Sequence, residues 1–302
     1  MRLRPGRGAS AAVLACAVAA AAACSEPRVV DRPVPGSPAR IVSLAPSVTD
    51  TVVALGLADR LVGVTRYCDP PLEAAPVRVG GYLDPDVEGI VALEPDLVIV
   101  IQDHEALRRQ LVGLGLEVLR VDQASLDGVL DAITLVGTAC GVGEKALELR
   151  GVLEHRLEAV RRRVAGRPAP RTLVVVQRDH GTGNVRAVWA AGRATFYDDV
   201  VHAAGGLNAV ADAPADYPQL SVEGIIALRP EVILDVAADE VAARIDEAAM
   251  VADWDDVPGL RARVVPLTGD RSVVPGPGIV EFVERVARAL HPDAFHGRET
   301  LP

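Results

Sequence analysis

The sequence predicts an α/β protein with two lobes, each containing a mostly parallel β-sheet, joined by one long α-helix. Short runs of β-branched residues alternate with helical segments along most of the chain, which is the pattern of strands connected by helices. Two segments 135 residues apart are closely similar, and a helical stretch of about 25 residues lies between them. The duplication and the intervening helix together predict two related lobes rather than one continuous sheet.

Length and composition are those of a globular protein with two modest domains. The chain has 302 residues, of which 50% are hydrophobic and 24% are charged, so it can form a large core and is unlike disordered or fibrous proteins. Its net charge is −10, which argues against a nucleic-acid partner because phosphates bind to a basic surface. Aromatic residues make up only 3% of the chain, so each Tyr or Trp is informative.

The first 23 residues have the features of a secretory signal peptide. Arginines occur before residue 9, an apolar run of small residues spans 9–23, and a polar, proline-rich segment follows. The sequence Ala-Ala-Ala-Cys at 21–24 resembles a bacterial lipobox, in which the cysteine is lipidated and becomes the mature N-terminus. We therefore expect export to the periplasm or cell-envelope face, a lipid anchor on Cys24 and a tether over 24–38. Ordinary cleavage without lipidation is the alternative.

Two further cysteines, Cys68 and Cys140, remain in the exported chain. An oxidising compartment favours a disulfide between them. Two free buried thiols are the alternative, and the sequence leaves both open. The wide spacing and the absence of a CxxC motif give little support for a metal site.

Residues 39–140 are predicted to form the N-terminal lobe. Its strands are short apolar runs, and Gly56 and Gly115 end two of its helices. This βαβ alternation predicts a Rossmann-like lobe. The predicted strands span 41–44, 61–64, 97–101 and 118–121, and the predicted helices span 48–55, 86–93 and 104–114.

A long linking helix is predicted over 141–166, because apolar residues recur there at helical spacing and Gly166 and Pro168 end the pattern. Residues 167–302 are predicted to form a second Rossmann-like lobe. Its predicted strands span 172–176, 187–190, 232–236 and 264–267, and its predicted helices span 195–204, 223–228 and 278–290.

The internal repeat pairs VEGIVALEPDLVI at 87–99 with VEGIIALRPEVIL at 222–234, with seven of thirteen positions identical. Each copy is a helix followed by a strand. Asp86 and Ser221 precede the helices at positions where a side-chain oxygen can accept a backbone N–H. Glu88 and Glu223 follow in the first turns, where the helix dipole favours a carboxylate. Stabilising the helix starts is the simplest role for these glutamates, but related lobes would also present them on matching surfaces.

At these segments the chain resembles the substrate-binding proteins of ABC importers for cobalamin and ferric siderophores, whose two lobes are bridged by one helix. The resemblance covers roughly residues 39–291 and is closest to the cobalamin receptors. It implies a monomer with a ligand cleft between the lobes, and salt bridges from Glu88 and Glu223 to arginines of a membrane permease. The matching stretches are RIVSLAPSVTDTVVALG, VGVTRYCDPP, VGGYLDPDVEGIVALEPDLVI, GRATFYDDVVHAAGGLN, YPQLSVEGIIALRPEVIL and PGPGIVEFVERVARAL.

The resemblance also suggests residues that would bind the ligand. Flat amphipathic side chains suit a corrin or siderophore because they cover apolar faces and offer a polar edge. Core packing is the alternative for Trp189 in particular. The candidate ligand-binding residues are Tyr67, Tyr82, Trp189, Tyr217, Asp270 and Arg271.

The sequence departs from the cobalamin receptors at Ile101 and Val274, which are aliphatic where those receptors carry an aromatic and a basic residue. A different chelate is therefore possible on sequence grounds. Arg178, Asp179 and His180 follow a predicted strand. They could face the cleft, where the arginine would favour an acidic ligand, although a solvated turn is the simpler interpretation.

We expect a lipid-anchored receptor that captures a metal chelate such as cobalamin or another corrinoid and delivers it to an ABC permease. A ferric siderophore or heme is the alternative cargo. A zinc or manganese receptor is less favoured because the six histidines show no paired spacing. No GxSxG, HExxH, P-loop or CxxC motif is present, so the sequence predicts neither an enzyme nor a bound cofactor.

Overall fold

The computed structural model describes residues 36–238, 241, 243–269 and 274–295. The predicted signal peptide, the lipidation site at Cys24 and the candidate ligand residues Asp270 and Arg271 lie outside the described residues. None of the described helices combines the length and hydropathy needed to cross a membrane.

The N-terminal lobe contains a five-stranded sheet in the order β3-β2-β1-β4-β5, in which all neighbouring strands are parallel. Its middle strands are buried on both faces because helices cover the sheet on either side. The strands are β1 (Ile41–Ser43), β2 (Leu61–Val64), β3 (Val77–Arg78), β4 (Leu97–Ile101) and β5 (Val118–Val121). The helices are α1 (Pro46–Ala54), α2 (Val87–Ala92), α3 (Glu105–Gly113) and α4 (Leu126–Ala139).

The C-terminal lobe contains a second sheet in the order β11-β10-β6-β7-β9, with β8 beside β6. Strands β6, β8, β10 and β11 pair in parallel, whereas β7 and β9 are antiparallel. The strands are β6 (Arg171–Gln177), β7 (Ala187–Ala190), β8 (Leu207–Asn208), β9 (Gln219–Ser221), β10 (Val232–Ala237) and β11 (Arg263–Thr268). The helices are α6 (Phe196–Ala203), α7 (Val222–Leu228), α8 (Glu247–Ala252) and α9 (Ile279–Leu290). The predicted fold class, two α/β lobes with mostly parallel sheets, is confirmed.

The linking helix α5 (Gly143–Val164) has 22 residues and is therefore about 33 Å long. Its apolar face is buried against both lobes. Arg150 forms an ion pair of 2.7 Å with Asp131 of α4, and Arg156 forms a bidentate pair with Glu284 of α9 at 2.9 and 3.0 Å. These contacts hold the helix to the N-terminal lobe at one position and to the C-terminal lobe at another.

One hydrophobic core runs through the base of both lobes. It includes Val48 and Ile133 of the N-terminal lobe, Leu157 of α5, and Val200 and Val283 of the C-terminal lobe. Because each lobe packs against the other and against a continuous helix, large hinge motion would expose this core to water. We therefore expect only modest closure of the lobes around a ligand.

The duplication extends from sequence to backbone geometry. Asp86 and Ser221 both cap their helices, as predicted, by accepting a bond from the backbone N–H three residues later. Glu94 and Arg229, again 135 positions apart, both follow the end of a repeat helix with positive φ angles of 45° and 46°. Both are exposed. Each repeat strand is thus preceded by a residue in the left-handed conformation, so the two halves share the same local backbone conformation.

Replacing Glu94 or Arg229 with Gly should raise the free energy of unfolding by about 0.5–1 kcal/mol each. An L-residue is strained in the left-handed region, and Gly relieves the strain at some cost in unfolded-state entropy. Ala92→Gly, inside α2, is the matched control and should lower stability. Urea unfolding of the three variants measures the difference, and a loss of stability in E94G and R229G would contradict it.

Cys68 and Cys140, for which the sequence left a disulfide and two free thiols open, are both free and buried. The Cys68 sulfur lies 3.1 Å from the Thr65 hydroxyl in the turn after β2, and Cys140 is the residue that ends α4. Burial raises the pKa of the Cys140 thiol to about 11, so this thiol is protonated and a poor nucleophile. The alternative of two free buried thiols is what the structure has.

Candidate functional site

A cavity of about 460 Å³ lies between the lobes. The N-terminal lobe contributes residues that follow the carboxyl ends of β1, β4 and β5, and the C-terminal lobe contributes the residues before α6, the segment 216–217 and the segment 274–275. Open parallel sheets bind ligands at the carboxyl ends of their strands, and volumes of this size suit small molecules. The cavity is therefore the candidate ligand site.

Three of the predicted ligand residues, Tyr67, Tyr82 and Tyr217, line this cavity together. Tyr67 is 58% exposed and Tyr217 is 43% exposed. Such exposure is high for aromatic side chains and leaves ring surface free to contact a ligand. The cavity thus has aromatic groups on both of its walls, although the role of each tyrosine in binding stays a prediction.

Tyr82 is held in place by two neighbours at the end of β4. Its hydroxyl donates to Asp103 Oδ2 at 3.0 Å, and its ring lies 4.8 Å from that of His104. The Nε2 of His104 donates to the Tyr82 carbonyl oxygen at 2.9 Å. Burial, followed by the bond to Asp103, raises the pKa of Tyr82. A tight turn at Gly80, whose φ is 86°, brings Tyr82 back towards this strand.

Trp189 lies elsewhere, which corrects the prediction that it lines the same cleft. It is 40% exposed on β7, so it is not a core residue either. It lines a second cavity of about 400 Å³, whose described lining comes from the C-terminal lobe alone. The reason is the connection between β6 and β7, residues 178–186, which forms a wall beside Trp189.

Arg178 is buried rather than facing a ligand or the solvent. Its guanidinium bonds to Asp235 Oδ2 at 2.6 and 2.9 Å and to Asp253 Oδ2 at 2.7 Å. Burial alone would lower the pKa of Arg178, but the hydrogen bonds and charges of the two aspartates raise it. Both interpretations of this residue from sequence, a cleft residue or part of a solvated turn, are therefore wrong.

Three further residues of the segment, His180, Gly181 and Gly183, contact the same buried acids. His180 Nε2 lies 3.3 Å from Asp235 Oδ1, and Trp254 Nε1 donates to Asp235 Oδ2 at 3.0 Å. Asp253 accepts from the backbone N–H groups of Gly181 and Gly183, both at 2.7 Å. This network anchors the loop that forms the wall of the second cavity.

Sequence analysis missed several polar residues of the interlobe cavity. Gln102 and Asp103 follow β4, and Gln123 follows β5. No motif marks them, but their position directly after predicted parallel strands was an available signal. Ile101 and Val274, the two departures from the cobalamin receptors, both line the cavity.

Glu88 and Glu223 are exposed and lie in the first turns of α2 and α7. A backbone N–H at the helix start and the Ser221 hydroxyl lower the pKa of Glu223. Both carboxylates are available to a partner, one on each lobe.

No group of three or more His, Cys, Asp or Glu side chains within the described residues could hold a metal ion.

Two related α/β lobes with an aromatic-lined cavity between them define a small-molecule binding protein. The chain belongs to the periplasmic binding protein family, whose model matches residues 41–252. An uncharacterized ABC transporter substrate-binding lipoprotein of Bacillus subtilis is 29% identical over 267 residues, with 85% of this chain and 82% of that protein covered. The family predicted from the sequence motifs is confirmed.

Solved structures show the same architecture. The periplasmic vitamin B12-binding protein of Vibrio cholerae is 26% identical with a TM-score of 0.72, covering 87% of this chain and 100% of that chain. The periplasmic heme-binding protein of Roseiflexus sp. RS-1 in its apo form is 26% identical with a TM-score of 0.70, covering 86% and 100%.

Proposed function

We propose that this chain is the substrate-binding subunit of an ABC importer and that it carries a metal chelate, with cobalamin or a related corrinoid as the leading candidate. The observation that supports this most is the cavity between the lobes, lined by Tyr67, Tyr82 and Tyr217. Aromatic rings pack well on the flat faces of a corrin. Among its relatives, the Vibrio cholerae structure is of a vitamin B12-binding protein.

The alternative cargo is heme or a ferric siderophore. The similarity to the Roseiflexus heme-binding protein supports heme to a comparable degree, and aromatic rings also pack on the flat face of a porphyrin. In either case the protein acts by binding and release, as a monomer, without a cofactor of its own and without chemistry on its ligand.

Anchoring is proposed to depend on Cys24. Lipidation there would hold the exported protein at a membrane through the tether 24–38, and the similarity to a Bacillus subtilis lipoprotein supports it. The proposed partner at that membrane is the permease of the importer, contacted by Glu88 and Glu223.

Titration of the purified protein with cyanocobalamin, hemin and a panel of ferric siderophores tests the proposed function. We expect saturable binding of one chelate class with micromolar or tighter affinity. Tyr82→Ala and Tyr217→Ala should each weaken it by about tenfold, since a lost aromatic contact removes apolar burial and stacking. Leu83→Ala, a change to an exposed residue beside Tyr82, is the control. Failure of every chelate in the panel to bind would contradict the proposal.

A further inference from the structure

The interlobe cavity is lined by polar side chains as well as by tyrosines, and these polar side chains can determine which chelates bind. Gln123 lines the cavity from the N-terminal lobe, Asp103 lines it beside Tyr82, and Asp216 lines it from the C-terminal lobe. We propose that these residues select chelates with neutral carbonyl oxygens at their edge and disfavour chelates that carry carboxylates. This inference rests on the proposed function, since it specifies the ligand of that same site.

Gln123 provides a hydrogen-bond donor that the protein itself does not use. Its side chain is only 2% exposed, and its Oε1 accepts from the Ser47 hydroxyl at 2.5 Å. Its backbone N–H donates to Gln102 Oε1 at 3.0 Å, which fixes the residue from a second side. Among the described residues the buried Gln123 Nε2 has no hydrogen-bond partner.

An unpaired buried donor is costly unless something binds to it. Gln123 lines the cavity, and its Nε2 is covered by protein atoms, so a small rotation of the side chain on ligand binding would bring this N–H group to an oxygen of the ligand. A neutral amide carbonyl of a chelate satisfies this donor. Through this bond the amide would orient the ligand as well as hold it.

Asp103 and Asp216 make opposite walls of the cavity negative. Asp103 bonds to Tyr82, which is a neutral donor. No Lys or Arg is among the residues that line the cavity in the described part of the chain. Burial, then the charges of Asp103 and Asp216, raise the pKa of Tyr217, which agrees with a negative field at the mouth of the cavity.

A carboxylate on the ligand would enter this field as a like charge. Asp103 and Asp216 are both exposed, so the repulsion acts at short range and weakens as the salt concentration rises. Like charges facing each other disfavour the wrong partner. Chelates with amide edges avoid that repulsion and can also satisfy Gln123. The expected preference is for an amide-bearing corrinoid over a heme, whose edge carries two propionates.

Two corrinoids provide a matched test, because dicyanocobinamide and dicyanocobyrinic acid share one ring and differ in having amides or carboxylates at the edge. We expect the wild-type protein to bind the amide form at least about tenfold more tightly. The double variant D103N/D216N should reduce that preference severalfold, while Asp59→Asn, a change to an exposed aspartate outside the cavity, should leave it unchanged.

Gln123→Glu tests the donor separately, since it keeps an acceptor for Ser47 and removes the N–H group. It should weaken dicyanocobinamide binding by about tenfold, whereas the surface control Gln110→Glu should not. Thermal unfolding of each variant shows whether the fold is retained, and Gln123→Leu provides a second variant without a new charge.

Several outcomes would overturn the selectivity. These are equal or tighter binding of the carboxylate corrinoid, an amide preference that D103N/D216N leaves intact, and full affinity in both Gln123 variants. Binding of hemin but of neither corrinoid would overturn it while leaving the receptor function in place. If no chelate of any class binds, the proposed function fails together with it.

Discussion

Reversing the charges of Glu88 and Glu223 together, as E88K/E223K, should abolish ligand uptake while the purified protein still binds its ligand with unchanged affinity. Each carboxylate is exposed on the first turn of a repeat helix, one on each lobe. Neither lines the interlobe cavity. Lysines at these positions would face the proposed permease arginines as like charges. This repulsion would slow the association of the protein with the permease and would remove the contacts that fix their relative position.

Transport into proteoliposomes that contain the cognate permease measures the effect, with the dissociation constant of the ligand measured in parallel. The control is E148K/E158K on the exposed face of α5, which changes the net charge by the same amount and should leave transport intact. Single reversals should reduce uptake partially, because one lobe can still dock. Normal uptake by E88K/E223K would exclude the two glutamates as the docking contacts.

Replacing Arg178 with Met should lower the free energy of unfolding by about 3–5 kcal/mol, because it leaves two buried carboxylates without their cation. Asp235 and Asp253 are 0% and 2% exposed, and Arg178 itself is 1% exposed. Arg193→Met is the matched control, since its ion pair with Asp212 is exposed and should contribute less than about 1 kcal/mol. Denaturant unfolding at neutral pH gives both values.

The stability difference between R178M and the wild type should change with pH, whereas a simple loss of packing would give a difference that does not. In the wild type, burial tends to raise the pKa of Asp235, but bonds from His180 and Arg178 outweigh it and lower the pKa. A depressed folded pKa gives stability that is complete above the unfolded value of about 3.9 and is lost as the pH falls below it. Without Arg178, burial dominates and raises that pKa, so R178M should gain stability relative to wild type on acidification. A stability difference between the two proteins that does not change with pH would contradict the role assigned to Arg178.

The sequence predicts most accurately the elements whose local residue pattern agrees with their burial in the folded protein. Strands β2, β4 and β5 have the predicted bounds, because short apolar runs in a βαβ pattern are largely buried within a parallel sheet. Strand β7 also has the predicted bounds, but it is antiparallel and its residues alternate between exposed and buried. Helix α4 was missed. Its glycines weaken the helix signal, yet a Cβ on Gly137 would lie 2.2 Å from the Cβ of Ala146. Close packing of α4 on α5 thus requires Gly at position 137, and the low helix propensity of Gly weakens the prediction of α4 from the sequence.

The candidate site was predictable in part. Tyr67, Tyr82 and Tyr217 follow from motif positions in the family, and all three line the cavity. No local motif marks Asp103 or Gln123. They come to one edge of the sheet only because β4 pairs with β5, and this pairing is a tertiary feature. Arg178 was misjudged for a related reason, since its partners Asp235 and Asp253 lie 57 and 75 residues away in the chain.

A crystal structure of the protein with bound cyanocobalamin is the most direct test of a binding site shared by the two lobes. The corrin should lie between the lobes, in contact with Tyr82 from one side and Tyr217 from the other, with an amide oxygen of its edge on Gln123. Density for the corrin in the cavity beside Trp189, or on the surface of one lobe alone, would contradict that site.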